Sequence, residues 1–308
     1  MPLIDNRTRG VFVISVTPFT DDGAVDFASL DRAIDFYFEA GADGVTILGM
    51  MGEAPKLTQS ESLEVARRVT ERAGDRPVVV GVSSPGLAAI GELSRAVMEL
   101  GAAGVMVAPP GGLKTHEQIV SYYGHVVETV GAEVPLVLQD FPLATNVAIS
   151  PATLGSIADS LPSVVMLKHE DWPGLAKISA IRAAEAKGQR RLSILCGNGG
   201  VFLPEEISRG ADGAMTGFGY PEMMVAVVRH AAAGEMARAR DIFDAYLPLV
   251  RYEQQPGVGL SVRKYVLARR GVIASAAQPR PGSVLPKEAV TEIEDILTRQ
   301  EQRLKEIG

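Results

Sequence analysis

The sequence predicts an α/β fold, a closed (β/α)₈ TIM barrel with a C-terminal helical domain, from three observations. Eight short apolar runs alternate with helical patterns between residues 11 and 216. A glycine-containing turn recurs three times, and strand signals stop after Pro221. Strands that alternate with helices are usually parallel, and eight such units in about 250 residues are typical of a closed barrel. An open doubly wound sheet is the alternative.

The eight apolar runs are the predicted strands. They occupy residues 11–16, 45–48, 78–82, 105–108, 136–138, 164–167, 192–195 and 214–216. The recurring turn precedes three of them, as Gly41-Ala42-Asp43-Gly44, Gly101-Ala102-Ala103-Gly104 and Gly210-Ala211-Asp212-Gly213. Its first glycine fits the left-handed position that ends a helix, and the run after it is typical of a parallel strand buried on both faces.

Helices are predicted between the strands and after them. Thr58 with Glu61 and Thr115 with Gln118 form capping boxes that begin two barrel helices. Beyond Pro221 only helical patterns occur, at residues 222–232, 237–252, 258–270 and 287–307, with a proline-containing connection at 276–286. The predicted domains are therefore residues 1–232, the barrel that carries the active site, and residues 233–308, the helical C-terminal domain.

Composition argues against several classes of function. The 308 residues have a formal net charge of -7 and no block of Lys and Arg, so nucleic acid is not an expected partner. No run reaches the ~20 apolar residues of a membrane span, and the N-terminus lacks a signal-peptide pattern, so we expect a cytoplasmic protein. The single cysteine, Cys196, is predicted to be buried. His116, His125 and His230 lack partners at ligand spacing, so neither a metal nor another cofactor is predicted.

Lys168 ends the sixth apolar run. Barrel enzymes carry their chemistry at the carboxyl ends of the strands, and Lys168 is the only lysine among the residues predicted there. Because an ammonium group is costly to bury, a lysine in this position is a candidate for a neutral amine that forms a Schiff base with a ketone or aldehyde. The structural alternative is a lysine that reaches solvent or pairs with Glu170.

Five segments carry a resemblance to a known family. Val16-Thr17-Pro18-Phe19, Gly49-x-x-Gly52-Glu53, Lys168, the turn at Gly197 and Gly213-Ala214-Met215-Thr216 resemble, in order and spacing, the dihydrodipicolinate synthase/N-acetylneuraminate lyase family. The resemblance spans nearly the whole chain. It implies a barrel with a helical C-terminal domain, a homo-oligomer (tetramer or dimer), and a lysine on strand 6 that forms a Schiff base with a small 2-oxo acid.

Four positions depart from the residues that this resemblance implies. Met50 and Met51 stand where hydroxyl residues bind the substrate carboxylate and relay protons, Gln139 replaces a proton-transferring tyrosine, and Ala144 replaces an arginine of the synthases. An amide forms hydrogen bonds but does not titrate. These losses indicate a different reaction, with the structural alternative that the methionines pack and Gln139 is a satisfied core amide.

A narrower resemblance indicates which reaction. Leu138-Gln139-Asp140-x-Pro142, Lys168-x-Glu170 and the segment from Gly213 to Gly217 are similar to family members that dehydrate 2-keto-3-deoxy sugar acids such as 2-keto-3-deoxyarabonate. In that reaction a Schiff base acidifies the C3 protons, and the C4 hydroxyl leaves by β-elimination. Glu170 is the predicted base, because residues two apart in a strand share one face with each other.

The predicted site has catalytic and substrate-binding members. Lys168, Glu170 and Gln139 are the predicted catalytic residues, and Asn198 is expected to bind the polyol tail. The predicted substrate contacts are Thr17, Gly49, Met50, Met51, Asp140, Asn198, Thr216 and Gly217. The alternatives are a pyruvate-dependent aldolase with Tyr220 as its acid, a 4-hydroxy-tetrahydrodipicolinate synthase, and a catalytically silent homologue that binds a 2-oxo acid.

Overall fold

The structure, a computed structural model that describes residues 3–308, contains a closed barrel of eight parallel strands. Each strand pairs with the next in the chain, and β8 pairs with β1, which confirms the predicted (β/α)₈ barrel and rules out an open sheet. The strands are β1 (Gly10–Ile14), β2 (Gly44–Ile47), β3 (Val78–Gly81), β4 (Gly104–Val107), β5 (Leu136–Asp140), β6 (Val164–His169), β7 (Ser193–Cys196) and β8 (Gly213–Thr216).

Helices connect the strands and continue beyond them. They are α1 (Phe27–Glu39), α2 (Gln59–Ala73), α3 (Leu87–Glu99), α4 (His116–Val130), α5 (Pro142–Thr145), α6 (Pro151–Ser160), α7 (Leu175–Glu185), α8 (Leu203–Ser208), α9 (Pro221–Ala232), α10 (Met236–Glu253), α11 (Gly259–Arg269) and α12 (Lys287–Ile307). Both predicted capping boxes are formed, at Thr58 and at Thr115. Gly41, Gly101 and Gly210 have φ angles of 93°, 95° and 100°, so the recurring turn is left-handed as predicted.

The apolar side chains form two cores, because alternate residues of each strand face opposite sides of the barrel wall. One core fills the lumen and includes Phe12, Met106, Met166 and Met215. The larger core lies between the strands and the helices and includes Cys196, which is buried as predicted, and burial raises the pKa of its thiol. An apolar lumen leaves the mouth at the carboxyl ends of the strands for a polar site.

Strands β5 and β6 extend further than their apolar runs predicted. The apolar runs end at residues 138 and 167, whereas the paired strands continue to Asp140 and His169. The register places Gln139 beside Lys168 and Asp140 beside His169. The ladder continues because backbone pairing does not depend on side-chain polarity, provided that the polar side chains find partners on each face.

Helices α10, α11 and α12 form the C-terminal part of the chain. Lys264 of α11 is completely buried and pairs with Glu53, which lies directly after the loop at the end of β2. Glu253 accepts a hydrogen bond from the backbone N–H of Gly219, which follows β8. Because α9 packs on both β1 and α10, the domain division at 232/233 stays a prediction. No helix within residues 3–308 has both the length and the hydropathy needed to cross a bilayer.

Candidate active site

The mouth of the barrel brings Lys168, Glu170 and Gln139 together. Lys168 Nζ lies 3.0 Å from Glu170 Oε2, and Gln139 Nε2 donates a hydrogen bond of 2.7 Å to the same oxygen. The Lys168 side chain is only 6% exposed and that of Glu170 only 9%. The pairing of β5 with β6 sets Gln139 against Lys168, and alternation sets Glu170 on the face of Lys168. The three residues predicted to be catalytic are therefore in mutual contact.

The backbone around Glu170 is held from both neighbouring strands. Its N–H donates to the carbonyl of Asp140 at 2.9 Å, so the pairing with β5 continues one residue past β6. Asn198 Nδ2 donates to the Glu170 carbonyl at 3.1 Å. A Cβ at Gly197 would lie 2.2 Å from Glu170 Cγ, so the glycine after β7 leaves the space that the glutamate occupies. The carboxylate is thus positioned by three strands.

Thr17, Thr216 and Gly217 lie at the mouth but have structural partners. Thr17 Oγ1 donates to the carbonyl of Gly52 at 2.6 Å, and Thr216 Oγ1 accepts from the N–H of Gly199 at 2.8 Å. A Cβ at Gly217 would lie 2.3 Å from Arg263 Nη1, so this glycine accommodates a guanidinium. The predicted substrate contacts of these residues stay predictions, since each residue is needed to hold a loop or a helix in place.

Gly49, Met50 and Met51 form the turn after β2. Met50 is 42% exposed and, with Gly49, lines a cavity of about 320 Å³ that also borders Gln139. Most of the surface of this cavity is apolar. Met51 packs against the apolar core of the lumen and lines a second cavity of about 780 Å³. The turn that would carry hydroxyls in the related synthases thus presents thioethers, which cannot relay protons.

Asp140 requires a correction. Its side chain points out of the barrel, where it is fully buried and pairs with Lys177 of α7 at 2.7 Å, and burial raises the pKa of its carboxyl to about 6. Successive residues of a strand face opposite sides, so Asp140 cannot share a pocket with Gln139. The same alternation that joined Lys168 to Glu170 removes Asp140 from the predicted substrate contacts.

His169 faces outward beside Asp140. Burial lowers the pKa of its imidazole to about 4, and neither ring nitrogen has a hydrogen-bond partner within residues 3–308. Lys177 completes this outer group, pairing at 2.5 Å with Asp171 as well as with Asp140. The sequence spacing did not identify Lys177 as a partner of Asp140, because Lys177 lies on a helix nine positions beyond Lys168.

The loop after β2 is anchored by two lysines, Lys56 and Lys264, that the sequence alone did not identify. Glu53 has a left-handed φ of 56°, is buried, and pairs with both Lys56 and Lys264. Lys264 Nζ also lies 4.6 Å from the centroid of the Phe19 ring, a cation–π contact. The sequence gives no local signal that Lys264 is buried, because its partner Glu53 lies 211 positions away.

Tyr220, the predicted acid of an aldolase, packs away from both cavities. Its ring lies 5.5 Å from that of Tyr246, and the guanidinium of Arg270 lies 4.1 Å above it. Burial raises the pKa of its hydroxyl. Within residues 3–308, no group of three or more His, Cys, Asp or Glu side chains is arranged to hold a metal ion.

Comparisons with known proteins identify close relatives. Residues 7–300 match the dihydrodipicolinate synthetase family. The L-2-keto-3-deoxyarabonate dehydratase of Azospirillum brasilense is 31% identical over 280 residues, which cover 89% of each chain. The 4-hydroxy-tetrahydrodipicolinate synthase of Chlorobaculum parvum is 30% identical over 271 residues, covering 87% of this chain and 89% of the relative. The crystal structure of dihydrodipicolinate synthase from Rhodopseudomonas palustris superposes with a TM-score of 0.96 and 51% identity, covering 97% of this chain and 100% of that one.

Proposed function

The chain belongs to the dihydrodipicolinate synthetase family, a family of lyases, and from this premise we propose that it is a Schiff-base lyase that dehydrates a 2-keto-3-deoxy sugar acid. The observation that carries the proposal is the carboxylate of Glu170, held by Gln139 at 3.0 Å from the Lys168 amine. The relative from A. brasilense, a 2-keto-3-deoxyarabonate dehydratase, supports the same reaction.

In the proposed mechanism, Lys168 condenses with the C2 carbonyl and releases water. Glu170 removes a proton from C3, and the resulting enamine expels the C4 hydroxyl, which leaves as water with the proton that Glu170 returns. Hydrolysis of the conjugated iminium then frees Lys168 and the unsaturated 2-oxo acid. Gln139 does not titrate, so its part is to orient the Glu170 carboxylate through their hydrogen bond.

Trapping and turnover test the proposal together. The protein is incubated with 2-keto-3-deoxyarabonate, pyruvate and other 2-oxo acids in the presence of borohydride, and the intact chain is weighed and peptide-mapped. We expect an adduct on Lys168 and, without borohydride, loss of one water from the 2-keto-3-deoxy acid. An adduct without dehydration of any 4-hydroxy-2-oxo acid contradicts the dehydratase assignment, and the absence of any adduct contradicts the Schiff base.

The synthase reaction is the second candidate, because the structure that is 51% identical is a dihydrodipicolinate synthase. That reaction needs a proton-transferring group and a cation for the carboxylate of the second substrate. Here Gln139, Met50 and Ala144 occupy the positions at which the family resemblance places a tyrosine, a hydroxyl residue and an arginine. These three side chains favour the dehydratase over the synthase.

We further propose that the chain acts as a homo-oligomer. Trp172 and Phe202 are 46% and 39% exposed, and the centroids of their tilted rings lie 5.0 Å apart in the loops that follow β6 and β7. Large exposed apolar groups commonly mark a surface that another protein covers. Light scattering of Trp172→Glu and of the unmodified protein tests this: the substitution should lower the mass of the assembly, and an unmodified protein that is a monomer contradicts it.

A further inference from the structure

The 780 Å³ cavity at the mouth of the barrel lies between the loop after β7 and the C-terminal helical part. Its walls include Asn198 from the loop after β7, Lys56, and the glutamines Gln254, Gln255 and Gln278. Asn198 connects this cavity to the catalytic carboxylate, because its Nδ2 donates to the backbone carbonyl of Glu170. A substrate bound to Lys168 that extends toward Asn198 would therefore enter a space whose wall includes four amide side chains.

Gln254 differs from the other amides of this wall because its side chain has no hydrogen-bond partner among the residues that the structure describes, whereas the others each donate at least one hydrogen bond. Gln255 Nε2 donates to the carbonyl of Tyr252 at 2.9 Å, and Gln278 Nε2 donates to Ser261 Oγ at 2.7 Å. Within the described part of the chain, residues 3–308, the Gln254 side chain forms no hydrogen bond. Each amide can donate two hydrogen bonds and accept two, which suits hydroxyl groups.

The position of the Gln254 side chain is set by its contact with the loop after β7. A Cβ at Gly199 would lie 1.8 Å from Gln254 Nε2, so the glycine lets the amide pack directly on the loop after β7. Gly199 has a φ of 63° and follows Asn198, whose φ of 49° is also left-handed. With Gly200, whose φ is 73°, three consecutive left-handed residues form the turn against which the end of α10 packs.

The other cavity at the mouth differs in chemistry. The space of about 320 Å³ beside Gln139 is lined by Leu48, Met50, Leu93 and Met106, with hydroxyls from Ser83 and Ser84. A hydroxylated carbon chain would leave most of its hydroxyls unpaired there, which is costly. The cavity that carries Gln254 is the better match for a polyol.

We propose that Gln254 is a specificity-determining residue that, with Asn198, binds hydroxyl groups beyond C4 of the substrate. This inference rests on the proposed function and narrows it: the substrate is a 2-keto-3-deoxy acid with at least one hydroxyl at C5 or beyond. The helical C-terminal domain then supplies substrate selection, while the barrel supplies the chemistry.

Three acids and two variants test the proposal. The acids are 4-hydroxy-2-oxopentanoate, whose C5 is a methyl group, 2-keto-3-deoxyarabonate and 2-keto-3-deoxygluconate. We expect the unmodified protein to favour the two hydroxylated acids by about 10-fold in kcat/KM, the value of one good hydrogen bond. Gln254→Ala should remove this preference by raising KM for the hydroxylated acids, with kcat and the methyl-terminated acid unaffected. Gln302→Ala, at an exposed glutamine of α12 outside this cavity, is the control and should keep the preference.

Three outcomes overturn the inference. Two are an unmodified protein that shows no preference for the hydroxylated acids and a Gln254→Ala variant that retains that preference. The third is a higher rate with apolar 4-hydroxy-2-oxo acids, which would place the substrate tail in the cavity beside Gln139. If no acid is dehydrated, the proposed function fails, and the concentration dependence of borohydride trapping with the same acids still decides whether Gln254 binds the tail.

Discussion

The inward and outward faces of β5 and β6 carry similar side chains in different settings. Inward, the Lys168 amine pairs with the single carboxylate of Glu170, whose partner Gln139 lines a cavity. Outward, the Lys177 amine pairs with two carboxylates, those of Asp140 and Asp171. The two lysine side chains are 6% and 9% exposed, so burial does not distinguish them. What differs is the number of carboxylates and the face of the barrel wall on which each lysine lies.

Under the proposed function, this difference separates the reactive lysine from the structural one. Two carboxylates accept hydrogen bonds from the Lys177 amine, so this amine belongs to a structural ion-pair group outside the barrel wall. Lys168 has one carboxylate partner, and proton transfer to that partner leaves a neutral amine beside the carboxylic acid that a condensation reaction needs. We therefore expect the inner face to determine activity and the outer face to determine stability.

The largest expected effect separates the two lysines. Lys168→Ala should lower turnover by about 10⁴- to 10⁶-fold, as for loss of a covalent nucleophile, and should remove the borohydride adduct. Lys177→Met, the matched control, should be less stable but should still form the adduct on Lys168. An adduct that moves to another lysine, or survives in Lys168→Ala, would contradict the assignment of the nucleophile.

The next largest effect separates the two chemical steps, Schiff-base formation and elimination. Glu170→Gln preserves Lys168 and should still form the Schiff base, but elimination should slow by about 10²- to 10⁴-fold because the base is lost. Trapping measures the first step and release of the dehydrated product measures the second. If Glu170→Gln turns over at the normal rate, the carboxylate is only a structural partner of Lys168.

A third expectation concerns the missing acid on the inner face. The protein should be a poor dihydrodipicolinate synthase. Its turnover in that reaction should be lower by about 10²- to 10⁴-fold than that of an enzyme with an acid/base residue at the position of Gln139. Pyruvate with aspartate semialdehyde in a coupled assay measures this activity, and the dehydration rate of 2-keto-3-deoxyarabonate in the same preparation is the reference. Efficient condensation would mean that water or Glu170 replaces the tyrosine of the family.

The comparison of the two faces also explains how much the sequence could predict. The barrel was predictable because eight apolar runs and the turns at Gly41, Gly101 and Gly210 are local signals. Lys168 and Glu170 were predictable as neighbours because alternation is local too. Lys264 with Glu53 was not, because the pairing depends on how α11 docks on the barrel mouth, and no local pattern encodes that contact.

The smallest expected effect tests the outer face through pH. Burial raises the pKa of Asp140 from 3.8 to about 6, so the folded chain binds this proton more tightly and the free energy of unfolding falls as pH rises through that window. Burial lowers the pKa of His169 from 6.5 to about 4, so the unfolded chain binds that proton more tightly and the free energy of unfolding rises with pH. The two contributions oppose each other in the unmodified protein, and each is on the order of 3 kcal/mol.

Substituting one residue of this pair should therefore leave only the pH dependence of the free energy of unfolding that the other residue causes. Relative to the unmodified protein, Asp140→Asn should gain stability as pH rises from 3.8 to about 6, and His169→Gln should lose stability as pH rises from about 4 to 6.5. Urea unfolding across this pH range measures both differences, and His125→Gln, at an exposed histidine, is the control. Dehydration at neutral pH should change little in either variant, because neither side chain faces Lys168. Curves that stay parallel to that of the unmodified protein would show that these buried groups do not titrate as their surroundings require.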